Sequence, residues 1–332
     1  MILETEPAFS PMRPRPAKWS AATTALWTLI VVLILFPCRT HAQSTSPSAA
    51  AWEKAAGGKM AFEVVSIHLE KPGNFKPPLF ALSPDDSYVS TGGRFFADFP
   101  LSVYIEFAYK IWLTDEQRSA LLEHLPKWAS SQSFVIEGRA PGNPTKDQMR
   151  LMVQSLLEDR FKLKMHFETQ TASVLAMVLD KPGATGPKLI PHDQGPACDP
   201  NPQLTDPAWV ASHKDIFPII CDAFILRGGA DGKMKLGSRN TTMPLLARSL
   251  PSVASLGRPV VDQTGLTGRY DFAMEWAPEP HTAPIPVADS QENEGSTTFL
   301  EALHEQLGLK LKPAKAPIEV PVIDHVESPS EN

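Results

Sequence analysis

Three short signatures occur twice along this chain in the same order, and that recurrence constrains the fold more than any other feature. Phe134–Pro141 runs FVIEGRAP and Phe272–Pro278 runs FAMEWAP. Upstream, Phe99-Pro100-Leu101 corresponds to Met243-Pro244-Leu245, each opening an apolar helical stretch. Downstream, LLEDRFKLK ending at Lys164 corresponds to LHEQLGLKLK ending at Lys312. The spacings between signatures differ only by loop-sized amounts. Ordered recurrence is what an internal duplication leaves behind, so two units of one plan are expected.

The patterns around the signatures name the elements. Thr145 and Gln148 form a capping box, and Met149, Met152, Val153, Leu156 and Leu157 then recur at helical spacing up to about Phe161. Leu163, Met165 and Phe167 alternate with Lys162, Lys164, His166 and Glu168, the mark of a half-buried strand. A turn is expected at Thr171, followed by a second strand, SVLAMVLD, apolar on both faces. In the second copy Thr298 and Glu301 make the capping box, and Phe299, Leu300, Leu303 and Leu307 the apolar stripe. Gly308 is the C-cap, and LKLK and IEVPVIDHV are two further strands. Pro321 cannot donate to a ladder, which places its strand at an edge or on a bulge. FEVVSI, Phe62–Ile67, is the first strand. The fold class is therefore α+β: two duplicated small mixed-sheet units with helices packed on one face.

Proline, at 33 of 332 residues, argues for short elements joined by stiff loops. The expected organisation is a leader over 1–42, a linker over 43–58, a first α+β unit over 59–184, a loop-rich insert over 185–231 and a second unit over 232–328. Ala277–Ser296 is expected to be a second long loop. RPVVDQTGLTGRYDF, Arg258–Phe272, packs an acid, an amide, hydroxyls and two glycines into a few positions. Pro259-Val260-Val261 makes a short strand, and Tyr270, Phe272, Met274 and Trp276 alternate on the next. Gly265 and Gly268 suit positive φ between them, and Asp262 and Thr264 suit side-chain bonds within the turn. A structural connection is expected. As a binding loop it would need Asp262 and Arg269 to converge on a cleft.

Arg13, Arg15 and Lys18 precede the uncharged AATTALWTLIVVLILF, and PCRTHAQ follows. That order of basic, apolar and small residues is a secretory signal, with cleavage expected after Ala42; an uncleaved anchor is the alternative. The formal net charge is −6, and residues 1–42 carry four basic against two acidic side chains, so the body is more acidic than the whole. An acidic body without basic runs argues against nucleic acid or an anionic membrane surface as partner. Beyond the leader two cysteines remain, Cys198 and Cys221. In an oxidising compartment an even pair points to a disulfide, with two buried free thiols as the alternative.

No motif completes a catalytic or metal site. His304-Glu305 lacks the second histidine of a zinc-peptidase helix, Gly308 standing in its place. There is no nucleophile elbow and no phosphate loop, and no cofactor is implied. Glu137 and Glu275 hold equivalent places in the repeated signature, where carboxylates on the polar side of a strand are solvated or lysine-paired more often than catalytic. Trp112, Trp128, Trp209 and Trp276 are read as packing rather than as sugar-stacking residues.

Several stretches carry a family resemblance. FEVVSIH, WASSQSFVIEGRAP, MVQSLLEDRFKLKMHFET, RPVVDQTGLTGRYDFAMEW and LHEQLGLKL…VPVIDHVESPSEN resemble the soil-associated family of uncharacterised exported bacterial proteins. That resemblance implies an extracytoplasmic sensing or contact role and no catalytic residues, related domains being attached to membrane zinc peptidases of the antibiotic-sensing type. GRFFADFPLSVYIEFAYKI is similar, over one strand and one helix, to the short N-terminal domains of secretins and TonB-dependent receptors. The functional expectation is a non-enzymatic, extracytoplasmic protein-interaction or sensing module with an envelope protein as partner. The alternative is an exported hydrolase or carbohydrate-binding protein with its site between the two units.

Overall fold

The computed structural model describes residues 49–70, 75–199, 202–229, 232–278 and 297–329, all within the unit Ser44–Asn332. The expected leader lies outside them, as does nearly all of the expected loop Ala277–Ser296. Among the described residues no helix is long and apolar enough to cross a membrane.

The first half contains α1 (Ala49–Ala56), β1 (Val64–Leu69), β2 (Arg94–Pro100), α2 (Leu101–Ala108), α3 (Asp115–Glu123), α4 (Trp128–Ser131), β3 (Ser133–Arg139), α5 (Lys146–Arg160) and β4 (Lys164–Leu179). β3 lies between β1 and β2, antiparallel to both. Phe95, Phe107, Phe134, Met149, Met152 and Phe161 close one core between this sheet and the helices. The Thr145–Gln148 capping box opens α5 and Phe161 caps its end. A third box, Thr114–Gln117, opens α3. α1 falls in the stretch expected to be a linker. It docks on α5, where Gln154 Nε2 donates to Glu53 Oε1 (2.8 Å), and Lys110 Nζ stands 5.6 Å from the Trp52 ring centre.

The middle of the chain carries β5 (Leu189–Pro191), a 3-10 turn over His192–Gln194, α6 (Pro207–Ser212) and β6 (Ile225–Gly228). The second half follows with β7 (Met234–Thr241), α7 (Met243–Ala254), β8 (Val260–Asp262), β9 (Tyr270–Trp276), α8 (Phe299–Leu307) and β10 (Leu309–His325). The strand order β5-β9-β7-β6 is antiparallel throughout, so the expected insert supplies both outer strands of the second sheet. Its core is built from Leu236, Leu246, Leu250, Phe272, Met274 and Leu303. The Thr298–Glu301 box starts α8, and Gly308 ends it in the left-handed region, φ 71°.

A third sheet, β10-β4-β8, joins the halves. Here local reading fails: no turn occurs at Thr171, and each pair of strands expected around Lys164–Asp180 and Leu309–Val326 is one long strand. β10 is an edge strand, one of the two places that suit Pro321, and its register shifts between Ile323 and His325. Pro313, Pro317 and Pro321 share one parity. The Asp180 N–H donates to Gly308 O (2.8 Å), which makes the opposite, even parity the one that bonds β4. The prolines therefore cost the ladder nothing and strip donors from the outward edge, a device that blocks further strand pairing. Among the described residues the architecture is α+β, helices combined with three small sheets.

The Arg258–Phe272 stretch connects sheets rather than forming a hairpin. β8 pairs parallel with β4, whereas β9 belongs to the four-stranded sheet. Gly265 and Gly268 take φ of 70° and 98°.

Candidate functional site

The cluster with the most converging chemistry forms where the middle segment crosses β7 and β9. β7 pairs with β9 in register as far as Ser238↔Phe272 and resumes at Thr241↔Tyr270, so β7 carries one extra residue at Arg239-Asn240. A bulge of this kind bends the strand and re-aims its side chains. Arg239 turns inward and is 3% exposed. One terminal nitrogen of its guanidinium donates to Pro218 O (3.4 Å) and Ile219 O (3.3 Å). The other donates to Pro196 O and to Ala197 O (2.9 Å). The first pair of carbonyls lies just before Cys221, the second just before Cys198. The Asp222 N–H donates to the Arg239 carbonyl (2.9 Å). One residue thus grips both cysteine-bearing segments.

Cys198 and Cys221 form a disulfide, with Cα atoms 5.8 Å apart, as the even pair predicts. His192 follows β5 directly, and its N–H is held by Arg269 O (2.9 Å). Its Nδ1 lies 2.6 Å from Asp271 Oδ1 and its Nε2 lies 3.4 Å from Cys198 Sγ. A carboxylate only accepts, so Nδ1 carries the hydrogen and Nε2 faces the sulfur. Asp271 is buried, accepts a second bond from the Asn240 N–H (2.8 Å), and has its Oδ2 3.7 Å from Arg239 Nε. Gly195 passes so close that a Cβ there would overlap Asp271 Oδ2. The result is a chain of three groups, carboxylate, imidazole and sulfur, with the sulfur oxidised. Cys198, Cys221 and His192 are all partly exposed, and their three ligand atoms lie within 4.8 Å of one another.

The rim is polar. Asn240 Nδ2 donates to Asp222 Oδ1 (2.8 Å), and Arg269 donates to Asn240 O (2.5 Å) and lies 3.6 Å from Asp222 Oδ1. Burial pushes the Asp222 carboxyl above its usual range, against the opposing effects of Arg269 and Asn240. Asp222 and Asn240 both hold positive φ, 63° and 59°, a conformation these two residue types tolerate best after glycine. Beyond the rim lies a buried charge cluster of the first half. Lys146 Nζ donates to Asp85 Oδ1 (3.0 Å), Asp85 O (2.9 Å) and Ser83 Oγ (3.2 Å), and Arg150 bonds the Ser83 and Asp85 carbonyls and Asp147. Burial, only partly countered by Asp85, pulls the Lys146 pKa down to about 8. This cluster straps the segment ahead of β2 to α5.

Of the residues singled out in the sequence, the structure joins Cys198 to Cys221 and sets Arg269 on the rim. Asp262 Oδ1 accepts from the Thr264 N–H (2.9 Å) and hydroxyl (2.8 Å), the expected bonds within the turn. Glu275 pairs with Lys235 (2.9 Å), and Glu137 is exposed. Trp128 packs on Phe134 and Phe161, Trp276 on Phe299, Trp112 on Phe224, and Trp209 stacks on His213. His304 bonds Asp180 (3.1 Å). Nothing in the sequence marks His192, Asp271 or Arg239 as site residues. Alternation along β9 puts Asp271 on the polar face, and only the middle segment, folding over that face, buries it.

No curated protein and no solved structure matches the chain. The family described as Protein of unknown function (DUF3738) matches residues 102–326, about two thirds of the chain and all of the elements around the cluster. The chain belongs to that family.

Proposed function

We propose that the chain is an exported, extracytoplasmic sensing module, as its resemblance to the soil-associated family implies. Its responsive element is the Cys198–Cys221 bridge, and an envelope protein reads its state. One observation carries this reading: His192 Nε2 stands 3.4 Å from Cys198 Sγ while Asp271 holds the other ring nitrogen. A bridge that only braces the fold needs no acid–base group trained on one of its sulfurs. With it, a thiolate attacking Cys221 finds beside its leaving sulfur a ring that, when protonated at Nε2, donates to the departing thiolate. The bridge itself fits an oxidising compartment.

The test is the rate at which a dithiol reduces the folded chain. His192→Ala is expected to slow reduction about tenfold or more, and the difference should vanish in denaturant. Equal rates for the two folded proteins would remove the basis for the reading. A second reading, an exported hydrolase, is favoured by the same Asp271–His192–Cys198 order, which is that of an orienting acid, a base and a nucleophile. It requires the reduced protein to turn over an activated ester with dependence on Cys198 and not on Cys221.

We also read the two halves as copies. If Lys164 corresponds to Lys312, the same offset takes Gln170 to Ile318, and these two residues are direct partners in the β4–β10 ladder. A two-fold axis relating the halves then passes between them.

A further inference from the structure

We propose that, once its bridge is reduced, the cluster binds one thiophilic divalent metal ion of the Zn2+ class, held by Cys198 Sγ, Cys221 Sγ and His192 Nε2 with a fourth position open. Its trigger in the cell rests on the sensing reading; its chemistry does not.

Tetrahedral zinc with sulfur at about 2.3 Å and nitrogen at about 2.0–2.1 Å sets neighbouring S and N ligands about 3.5 Å apart. His192 Nε2 and Cys198 Sγ already stand 3.4 Å apart. Two thiolates on one zinc stand about 3.8 Å apart. Rotation about the two Cα–Cβ bonds supplies that separation once the S–S bond is gone, with the backbones left where they are.

Two further features suit a metal. Ligating histidines hold their other nitrogen on a carboxylate, which fixes the ring and its tautomer; Asp271 already does this at 2.6 Å. The second feature is Arg239. Its bonds to the carbonyls of Pro196, Ala197, Pro218 and Ile219 tie the two cysteine segments together without the disulfide. The ligand set therefore outlasts the bridge. Three protein ligands with an open fourth position are the pattern of sites that bind water or an exogenous ligand, rather than closed structural sites.

The electrons balance with an external dithiol as reductant. One of its thiolates attacks Cys221 Sγ, the Cys198–Cys221 bond breaks, and Cys198 departs as a thiolate, taking a proton from the imidazolium form of His192, which regains it from solvent. The reductant's second thiolate attacks its own sulfur in the mixed disulfide, releasing Cys221 and closing the reductant's disulfide. Two electrons and two protons pass to the protein, and the arriving ion displaces the two thiol protons to solvent.

The test uses the full chain with Cys38→Ser, so that Cys198 and Cys221 are its only thiols. The bridge is opened by a phosphine, which works whether or not dithiols reach it, so failure here is separable from failure of the sensing reading. Co2+ is titrated as the spectroscopic probe, followed by Zn2+ in competition. The reduced protein is expected to take up one Co2+ with thiolate charge-transfer bands and a tetrahedral visible spectrum, lost on addition of one Zn2+; the oxidised protein should show neither. His192→Ala should weaken binding about tenfold or more. Asp271→Asn should weaken it about 10- to 100-fold with the two-thiolate bands retained. No stoichiometric uptake by the reduced protein overturns the proposal, as does equal uptake by the oxidised form. Because the wild-type cobalt spectrum reports the ligand set directly, a variant that fails to fold leaves the test intact. A wild-type spectrum without thiolate bands also overturns it.

Discussion

Replacing Arg239 by methionine separates what the disulfide does from what the guanidinium does. The bridge closes a loop with a sequence separation of 23. In the chain-entropy picture, opening it costs about 3.4 kcal/mol through the unfolded ensemble. The same loss applies to local opening of the segment, where it corresponds to about 300-fold faster amide exchange. Arg239 bonds four carbonyls and lies 3.7 Å from the buried Asp271. Removing one partner of such a set costs about 3–5 kcal/mol, mostly because the other charge is left buried. The assay is hydrogen exchange at the Asp222 and His192 amides, which are bonded to Arg239 O and Arg269 O. In the reduced wild type both should exchange faster by up to about 300-fold yet stay well below the rate of an unstructured peptide. In oxidised Arg239→Met the bridge should keep them protected. In reduced Arg239→Met both restraints are gone and exchange should reach the unstructured rate. Unstructured rates in the reduced wild type would refute the claim that the cluster outlasts its bridge. So would full protection in reduced Arg239→Met.

Lys146, with a pKa of about 8 in the folded state, binds its proton less tightly than in the unfolded chain, whose value is near 10.5. The unfolded state then holds more protons between those values, so stability from this group rises with pH across that window. Urea unfolding at pH 7 and pH 9 should show a gain of about 1 kcal/mol that Lys146→Met abolishes. Gly195→Ala should displace Asp271 and with it His192, lowering the melting temperature and slowing dithiol reduction together; reduction at the wild-type rate would contradict the close approach of Gly195. Thr145→Ala and Thr298→Ala should each cost about 1 kcal/mol in urea unfolding. A cost near zero would mean that the capping boxes are not formed in solution.

What was legible in the sequence is local. Both capping boxes, the Gly308 C-cap and the turn bonds of Asp262 depend on residues within a few positions of one another. The cysteine pair followed from parity and compartment. What was not legible depends on register and coverage. β10 carries three prolines along its 17 residues, which reads as a break until the ladder shows all of them on the parity that faces away from β4. The Thr171 region reads as a turn because its polar residues give no buried face, yet β10 pairs with it directly. Ala49–Ala56 looked like a spacer because its contacts lie on a helix about a hundred residues away in sequence. Arg239 and Asp271 became neighbours of the bridge through a one-residue bulge and a segment folded over the polar face of β9. Neither event leaves a mark at the residues concerned.

On the proposed reading, His192 makes the bridge asymmetric, with Cys198 as the leaving sulfur. The direct measurement is mass-spectrometric mapping of the mixed disulfide formed when the folded chain meets excess glutathione and is quenched by acid before the second exchange. Glutathione on Cys221 with a free thiol on Cys198, and loss of that preference in His192→Ala, is the predicted result. Adducts shared equally between the two cysteines, or found on Cys198, would contradict it.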